Sequence, residues 1–448
     1  MHDMAHSAHT NQQRTPADSL TVRGGRTLSG TATVDGSKNA ALPLLAAAAV
    51  LGRPVTLTNL PTSSDTAALA ALISAAGNLV VASPDGAHTM HVTPARDQRG
   101  PVDRALAARI RASYYLVPAQ LDCGVADLPW PGGCAVGHRG MELHFAVYEA
   151  FGDTVHTSDD GYRITSTKSQ ARTPVEITLP FPSRGATVVA LLRALVAHRP
   201  LLLHMPSLCP EVTGLVEALR LADHHAAYLP DGTLSFEPGV ACPVRWKVPG
   251  DKIEAATLLV AMAATGGHGR ILGVDPHHLT PFIELLTKAG FVVEAIPGGV
   301  ELGADFHLTG TPINAIASLD TLGDADGLDA DFEPPLMALA MTVPGVHSFA
   351  DEINRGRHAN LVPQLRRLGA VIFEESATAC RVSGPQRLVG ADVVAEDIRT
   401  GAALLLAALV AEGTTVVARL SQVRRGYADL PGKLCALGAD ITDTAGVV

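Results

Sequence analysis

Three stretches place scarce, chemically capable side chains on turns rich in glycine and proline. GSKNAALP (36–43) sets Lys38 and Asn39 at the start of an apolar helix. A helix N-terminus offers unpaired backbone N–H groups and a dipole that favours an anion, and Lys38 adds a point charge. The same residues also read as an ordinary helix cap with a solvated lysine, and the longer Gly-rich phosphate loop is absent. LPWPGGCAVGHRGMELH (128–144) carries Cys134 and Arg139 on a loop that Gly132 and Gly133 make pliable. A thiol beside an arginine can ionise early and act as nucleophile or proton donor; a merely tolerated cysteine is the plainer alternative. LDADFEPPL (328–336) offers Asp329, Asp331 and Glu333, where a carboxylate could serve as general base or simply sit in a solvated acidic loop. Arg111, Arg139, Arg357 and Arg399 fall near element boundaries, in RIRASYY, GHRGME, RGRHANL and EDIRTGAA. An arginine fork grips carboxylate and phosphate, so several of them with Lys38 suit a small ligand bearing both groups. Taken singly, each reads as a surface arginine.

Other chemistries find little support. The 18 histidines include no HExxH and no paired Cys/His spacing, so no metal site is expected, and DADGLDAD (324–331) misses the calcium-loop spacing. No GxGxxG follows a strand. The net charge of −10, with no basic stripe, argues against a nucleic-acid partner. No apolar run reaches the roughly 18 residues of a membrane span, so no membrane association is expected. Cys123, Cys134, Cys209, Cys242, Cys380 and Cys435 form no CxxC pair, which suits reduced thiols in a cytoplasm.

Positioning these groups takes a long, core-rich chain. The 448 residues are 47% hydrophobic and only 4% aromatic, so Ala, Val, Leu and Gly must carry the core, in two domains rather than one. One pattern recurs six times: a helix of small apolar residues, a short turn, then a strand. The copies lie at 40–59, 112–129, 186–205, 255–274, 335–352 and 401–420. A second helix follows each, closing at Gly77, Gly152, Asp223, Gly290, Gly369 and Gly438. Gly suits the left-handed residue that ends a helix, and Asp223 is the exception. The marks fall about 70 residues apart, long for a solenoid unit and right for a small α/β subdomain. Three subdomains per domain give an expected division into a disordered tail over 1–19, a first domain of 20–37 with 252–448, and a second of 38–251. The early strand pair LTVRGGRTLSGTATVDG (20–36) would return to the C-terminal domain and leave GSKN at the crossing. A cleft between the halves is the expected ligand site.

The order GSKNAALP, RASYY, PWPGGCAVGHR, DIRTGAA with AEGTTVV, and RRGYADL resembles the enolpyruvyl transferase family from about residue 20 to the C-terminus. That resemblance implies a fold of two inside-out α/β domains, each of three repeated βαβαββ-like subdomains. It implies transfer of the enolpyruvyl group of phosphoenolpyruvate to a hydroxyl of a uridine nucleotide, without metal or organic cofactor. Lys38, Arg111, Arg139, Arg357 and Arg399 would bind phosphoenolpyruvate. Cys134 would protonate the methylene carbon, and Asp331 would take the acceptor proton, with Lys38 completing the catalytic set. Asn39, Glu142, Leu143, Ser183, Arg184, Gly185, Asp331 and Ile353 would form the acceptor side.

The matched phosphoenolpyruvate residues are all kept, whereas the acceptor side departs from the pattern. Gly140, Met141, Glu142 and Leu143 stand where Pro-Val-Asp-Leu is usual, and Phe181 stands where a lysine is expected. Lys252 replaces an arginine, and Ala330 replaces the threonine before Asp331. UDP-N-acetylglucosamine is the acceptor by family default. UMP, as in nucleoside-antibiotic biosynthesis, is the alternative that a missing phosphate lysine favours. A non-catalytic nucleotide-binding paralogue is opposed by the retention of Cys134, Asp331, Lys38 and the arginines together. The shikimate-pathway branch is opposed by the PGGC loop. Homo-oligomerisation stays open.

Overall fold

The computed structural model describes residues 18–83, 88–94, 100–133, 136, 140–167, 173–318 and 328–443. Among them the expected repeat takes shape as six small sheets, five of four strands and one of three. In one of the units that are contiguous in sequence, Val175–Thr178 leads into the helix Arg184–Ala197 and then into Leu201–His204, which pairs with it in parallel. The helix Pro210–Leu221 follows, and the hairpin of His225–Tyr228 and Leu234–Glu237 completes the sheet antiparallel to Leu201–His204.

The first helix of each unit is dominated by small and aliphatic residues. A helix apolar on every side has no solvent face and must be enclosed. Accordingly, every residue of Lys252–Ala264 up to Ala263 is buried, as is every residue of Ile398–Val410 up to Leu409. These helices form the centres, and the sheets and the more amphipathic second helices wrap them, which is the inside-out arrangement. Two separate apolar cores result. One draws on Leu20–Val34 and Ile253–Leu437, the other on Ala40–Val248.

Three units are completed by strands from elsewhere in the chain. Gly30–Thr33 pairs in parallel with Gly269–Leu272, and Val244–Lys247 pairs in parallel with Val55–Thr58. Ser19–Arg23 inserts between Thr414–Ala418 and Asp440–Asp443. Ser19, expected in the tail, belongs instead to this sheet, and Asp18 before it is anchored to the helix Leu420–Arg424. Ser19 is fully buried opposite Ala418, and the Asp18 carboxylate accepts from Ser421 N and Oγ at 2.9 and 2.6 Å.

The two crossings between the cores run side by side. Gly36 faces Gly250, Ser37 N donates to Pro249 O at 2.7 Å, and Asp251 N donates to Asp35 O at 2.8 Å. A Cβ on Gly36 would fall 1.7 Å from Asn59 O, and one on Gly250 would fall 1.8 Å from Gly273 O, so the contact requires glycine at both positions. The second helices close as expected: Gly77, Gly152, Gly290, Gly369 and Gly438 all have positive φ, and Asp223 does too, at 66°. Aspartate tolerates that conformation better than most residues, which explains how it stands in for glycine. No helix among the described residues is long and apolar enough to cross a membrane. The five described cysteines are unpaired.

Candidate active site

Between the two cores lies a cleft of ≈ 310 Å³. Among the described residues seven cationic side chains line it, Lys38, Arg111, Arg184, Lys252, Arg357, Arg399 and Arg425, against the four carboxylates Asp65, Asp329, Asp331 and Asp397. Glu211, Asp251 and Asp351 stand behind this wall and orient it. Cationic ends therefore face the cavity while much of their compensation lies at the back, a preorganised setting for an anion in a chain of net charge −10.

Helix N-termini deliver many of these groups: Lys38, Arg184, Lys252 and Arg399 lie in the first turns of inner helices, and Arg357 begins an outer one. Asp397 caps Ile398–Val410, accepting from Arg399 N and Thr400 N at 3.0 Å each. Asp251 caps Lys252–Ala264 through one oxygen, accepting from Ile253 N at 2.8 Å and Glu254 N at 3.1 Å. Its other oxygen takes Lys38 N at 3.4 Å, so one side chain ties the first turns of two helices from opposite cores. Ser37 caps Lys38–Val50 through Ala40 N.

Asp331 is the centre of one cluster. Its Oδ1 accepts from Arg357 Nη2 at 2.9 Å and its Oδ2 from Arg399 Nη2 at 3.0 Å. Arg357 also donates to Ala330 O at 2.6 Å and pairs with Asp351 at 3.1 Å. Burial alone would raise the Asp331 pKa, but Arg399 and then Arg357 outweigh it and hold the carboxylate well below its ordinary range. Among the described residues Arg399 Nη1 and Arg357 Nε are buried without a hydrogen-bond partner, donors left over after the carboxylate is served.

Asp65 is the centre of a second cluster. It accepts from Lys38 Nζ at 3.3 Å and from Arg425 Nε at 3.1 Å, joining residues of both cores across the cleft. Arg425 also approaches Gly133, where a Cβ would lie 3.4 Å from its Nη2 and 3.1 Å from Arg111 N. A third group holds Lys252, 2.9 Å from Asp329 and 3.5 Å from Glu211. Glu211 is buried, which opposes ionisation, yet Lys252 and Arg184 draw its pKa down to about 2.

Lys38, Asn39, Arg111, Ser183, Arg184, Gly185, Asp331, Ile353, Arg357 and Arg399 thus converge on one cavity. Glu142 and Leu143 do not line it. They open the helix Glu142–Ala150 with Glu142 exposed and Leu143 packed against the core, and the next residue, His144, reaches the cavity instead. Cys134 and Arg139 lie outside the described residues. Arg425, Asp65 and His144 were missed from the sequence. Arg425 stood in view within RRGYADL, but its partner is 360 positions away. Asp65 reads locally as a first-turn acid on Ser64–Ala75.

Residues 22–434 match the family described as EPSP synthase (3-phosphoshikimate 1-carboxyvinyltransferase). The chain belongs to this family of enolpyruvyl transferases. Among its relatives, the UDP-N-acetylglucosamine 1-carboxyvinyltransferase of Desulforapulum autotrophicum is 32% identical over 427 residues, covering 95% of this chain and 99% of the relative. The Caulobacter vibrioides protein of the same name is 33% identical over 432 residues, covering 95% and 97%. The crystal structure of the enolpyruvyl transferase NikO from Streptomyces tendae superposes with a TM-score of 0.81 at 28% identity, over 95% of this chain and 99% of that one. EPSP synthase of Acinetobacter baumannii, at 18% identity and a TM-score of 0.70, shares the fold. The protein is therefore an enolpyruvyl (carboxyvinyl) transferase of the two-domain α/β fold.

Proposed function

We propose that this enolpyruvyl transferase joins the enolpyruvyl group of phosphoenolpyruvate to a hydroxyl of a uridine nucleotide and releases phosphate. The observation that carries this reading is Asp331 clamped between Arg357 and Arg399 at one end of a cleft that also holds Lys38, Arg111 and Arg425. A donor with one phosphate and one carboxylate calls for several forks and a point charge, and the acceptor hydroxyl calls for a base within reach of them.

The acceptor oxygen attacks C2 of phosphoenolpyruvate, its proton passes to Asp331, and C3 takes a proton from the Cys134 thiol. The tetrahedral adduct then loses phosphate by cleavage of the C2–O bond while C3 gives a proton back, leaving an enol ether. Atoms balance without metal or redox partner. At rest Asp331 is a poor base because two guanidinium groups hold it ionised. When the anionic donor docks on Arg357 and Arg399, their charge is shared, and the carboxylate gains basicity as the acceptor arrives. Arg139 is assigned to the donor with Lys38, and Asn39 and Ile353 to the acceptor.

UDP-N-acetylglucosamine is the reference acceptor. UMP is the second reading, favoured by Phe181, which puts an uncharged ring where the resemblance expects a lysine and does not line the cleft. Phosphate release from phosphoenolpyruvate, measured with each nucleotide as sole acceptor, tests the proposal. Acceptor-dependent release with either supports it, and release that ignores both contradicts it.

A further inference from the structure

Behind the clamp on Asp331 lies a buried pair of ionisable side chains that no step of the proposed reaction uses. Glu333 opens the helix Glu333–Ala340, and His358 is the second residue of the helix Arg357–Arg367. Both are buried and neither lines the cleft. His358 Nε2 lies 2.8 Å from Glu333 Oε1. Glu333 stands just beyond Asp331 in the chain and His358 directly follows Arg357, so this contact joins the two segments that carry the clamp.

The hydrogen bonding around the pair is half spent. Among the described residues Glu333 Oε2 and His358 Nδ1 are buried without a partner, and so is Arg357 Nε. An acceptor on Glu333 and a donor on Arg357 are therefore both vacant, and a competing contact between them has its two ends ready. Burial works against the charge on Arg357, but Asp331, Asp351, Asp397 and Glu333 together more than offset it, so Glu333 already draws on that guanidinium. Burial likewise opposes a charged His358 ring. The hydrogen bond and charge of Glu333, with Asp351 adding, outweigh it and raise the His358 pKa against the repulsion of Arg357. The Cys380 thiol on the strand Ala379–Gly384, which also feels Glu333, is pushed up to about 12, chiefly by burial, and stays neutral.

Resting on the reading that Arg357 grips phosphoenolpyruvate, we propose that His358 is a positioning residue for the donor: its imidazolium neutralises Glu333, so the Arg357 guanidinium stays directed at Asp331 and the donor and is not drawn back onto a second buried carboxylate. With a neutral group in place of the imidazolium, Glu333 becomes an uncompensated charge beside an unspent N–H, and Arg357 is the nearest cation in the chain to answer it.

Steady-state kinetics of the full chain with phosphoenolpyruvate and a uridine nucleotide, from ~pH 6 to ~pH 9, test this in the wild type, His358→Gln, Glu333→Gln and the doubly substituted chain. Glutamine at 358 keeps an amide donor for Glu333 and drops the charge. His358→Gln should raise the phosphoenolpyruvate KM on the order of 10-fold, the worth of one charge-assisted contact, and leave the acceptor KM within a few-fold. Adding Glu333→Gln removes the competing carboxylate and recovers most of the donor KM. In the wild type the donor kcat/KM falls as pH rises through the His358 pKa, above its ordinary ~6.5, and this step is missing from all three variants. Each single variant unbalances a buried pair and lowers the melting temperature whatever the role, so the donor KM and its pH profile decide. The doubly substituted chain restores the balance and stays measurable if a single variant folds poorly. A donor KM unmoved by His358→Gln, a rise that Glu333→Gln does not relieve, or equal losses on donor and acceptor overturns the proposal. A wild type that releases no phosphate with any uridine nucleotide removes the functional reading and the proposal together, whereas normal wild-type turnover with an indifferent His358→Gln removes the proposal alone.

Discussion

Replacing Asp331 by Asn changes one oxygen to an amide and removes the charge that Arg357 and Arg399 share. If Asp331 is the base, kcat falls by on the order of 10²–10⁴, or about 3–5 kcal/mol in the barrier. The donor KM should not rise, because two guanidinium groups that were neutralised at 2.9 and 3.0 Å become more available to an anion. The fold should survive. Arg357 keeps Ala330 O at 2.6 Å and Asp351 at 3.1 Å, and Arg399 keeps the Tyr427 ring with its guanidinium carbon 5.1 Å from the centroid. The stability cost is therefore about 1–3 kcal/mol, below the ~3–5 kcal/mol of stripping a buried charge of its whole environment. Its pH dependence has a definite sign. The folded pKa of Asp331 lies below the unfolded one, near ~3.9, so its contribution is complete above that value and is lost as pH falls through the folded pKa. The gap in urea stability between wild type and variant should be flat above about pH 5 and should close in acid. Phosphate-release kinetics and urea titrations over this range check both halves. A variant with kcat within a few-fold of wild type, or one whose loss lies in the donor KM alone, would refute the assignment of the base and leave Asp331 as a clamp.

Three further outcomes can be measured. Cys134→Ala should abolish nearly all turnover while both substrates still bind, and the wild-type thiol should be alkylated by the epoxide fosfomycin; an unchanged rate or an unchanged intact mass would remove the thiol from the mechanism. Arg425→Ala leaves Asp65 to Lys38 alone, so the phosphoenolpyruvate KM should rise on the order of 10- to 100-fold; a KM equal to wild type would exclude Arg425 from the donor site. Glu254, buried where the two crossings meet, accepts from Lys433 Nζ and Asp35 N at 2.8 Å each, and burial pushes its pKa from 4.5 up to about 7 against the pull of Lys433. A folded pKa above the unfolded one means stability that is whole below about pH 4.5 and is lost as pH rises through 7, with a ceiling of about 3 kcal/mol. Glu254→Gln should remove that slope between pH 5 and 8, and parallel wild-type and variant urea midpoints would count against it.

The parts of the fold that were legible from sequence are those written in local pattern. Small apolar helices such as LLAAAAV admit only a buried position, and closing glycines mark where each second helix must turn, so the six units could be counted without coordinates. Asp223 shows why the mark is conformational rather than chemical: the position needs positive φ, and aspartate supplies it. Part of the cation cluster was legible because Lys38, Arg111, Arg357 and Arg399 all lie at the starts of helices. The wall that carries His144 was less so. Glu142 and Leu143 carry the motif position, but helical geometry turns the next residue, His144, into the cavity. The pairing of Asp65 with Arg425 depends on how the two cores approach one another, and nothing within a few residues of either encodes it.

The most direct test of enolpyruvyl transfer is the fate of the oxygen that bridges carbon and phosphorus in phosphoenolpyruvate. With a heavy-oxygen label at that position and a uridine nucleotide as acceptor, C2–O cleavage places the label in the released phosphate and leaves the nucleotide heavier by one enolpyruvyl group. Label retained in pyruvate, with the phosphoryl group on the nucleotide, would contradict the account and mark a phosphoryl transfer in its place.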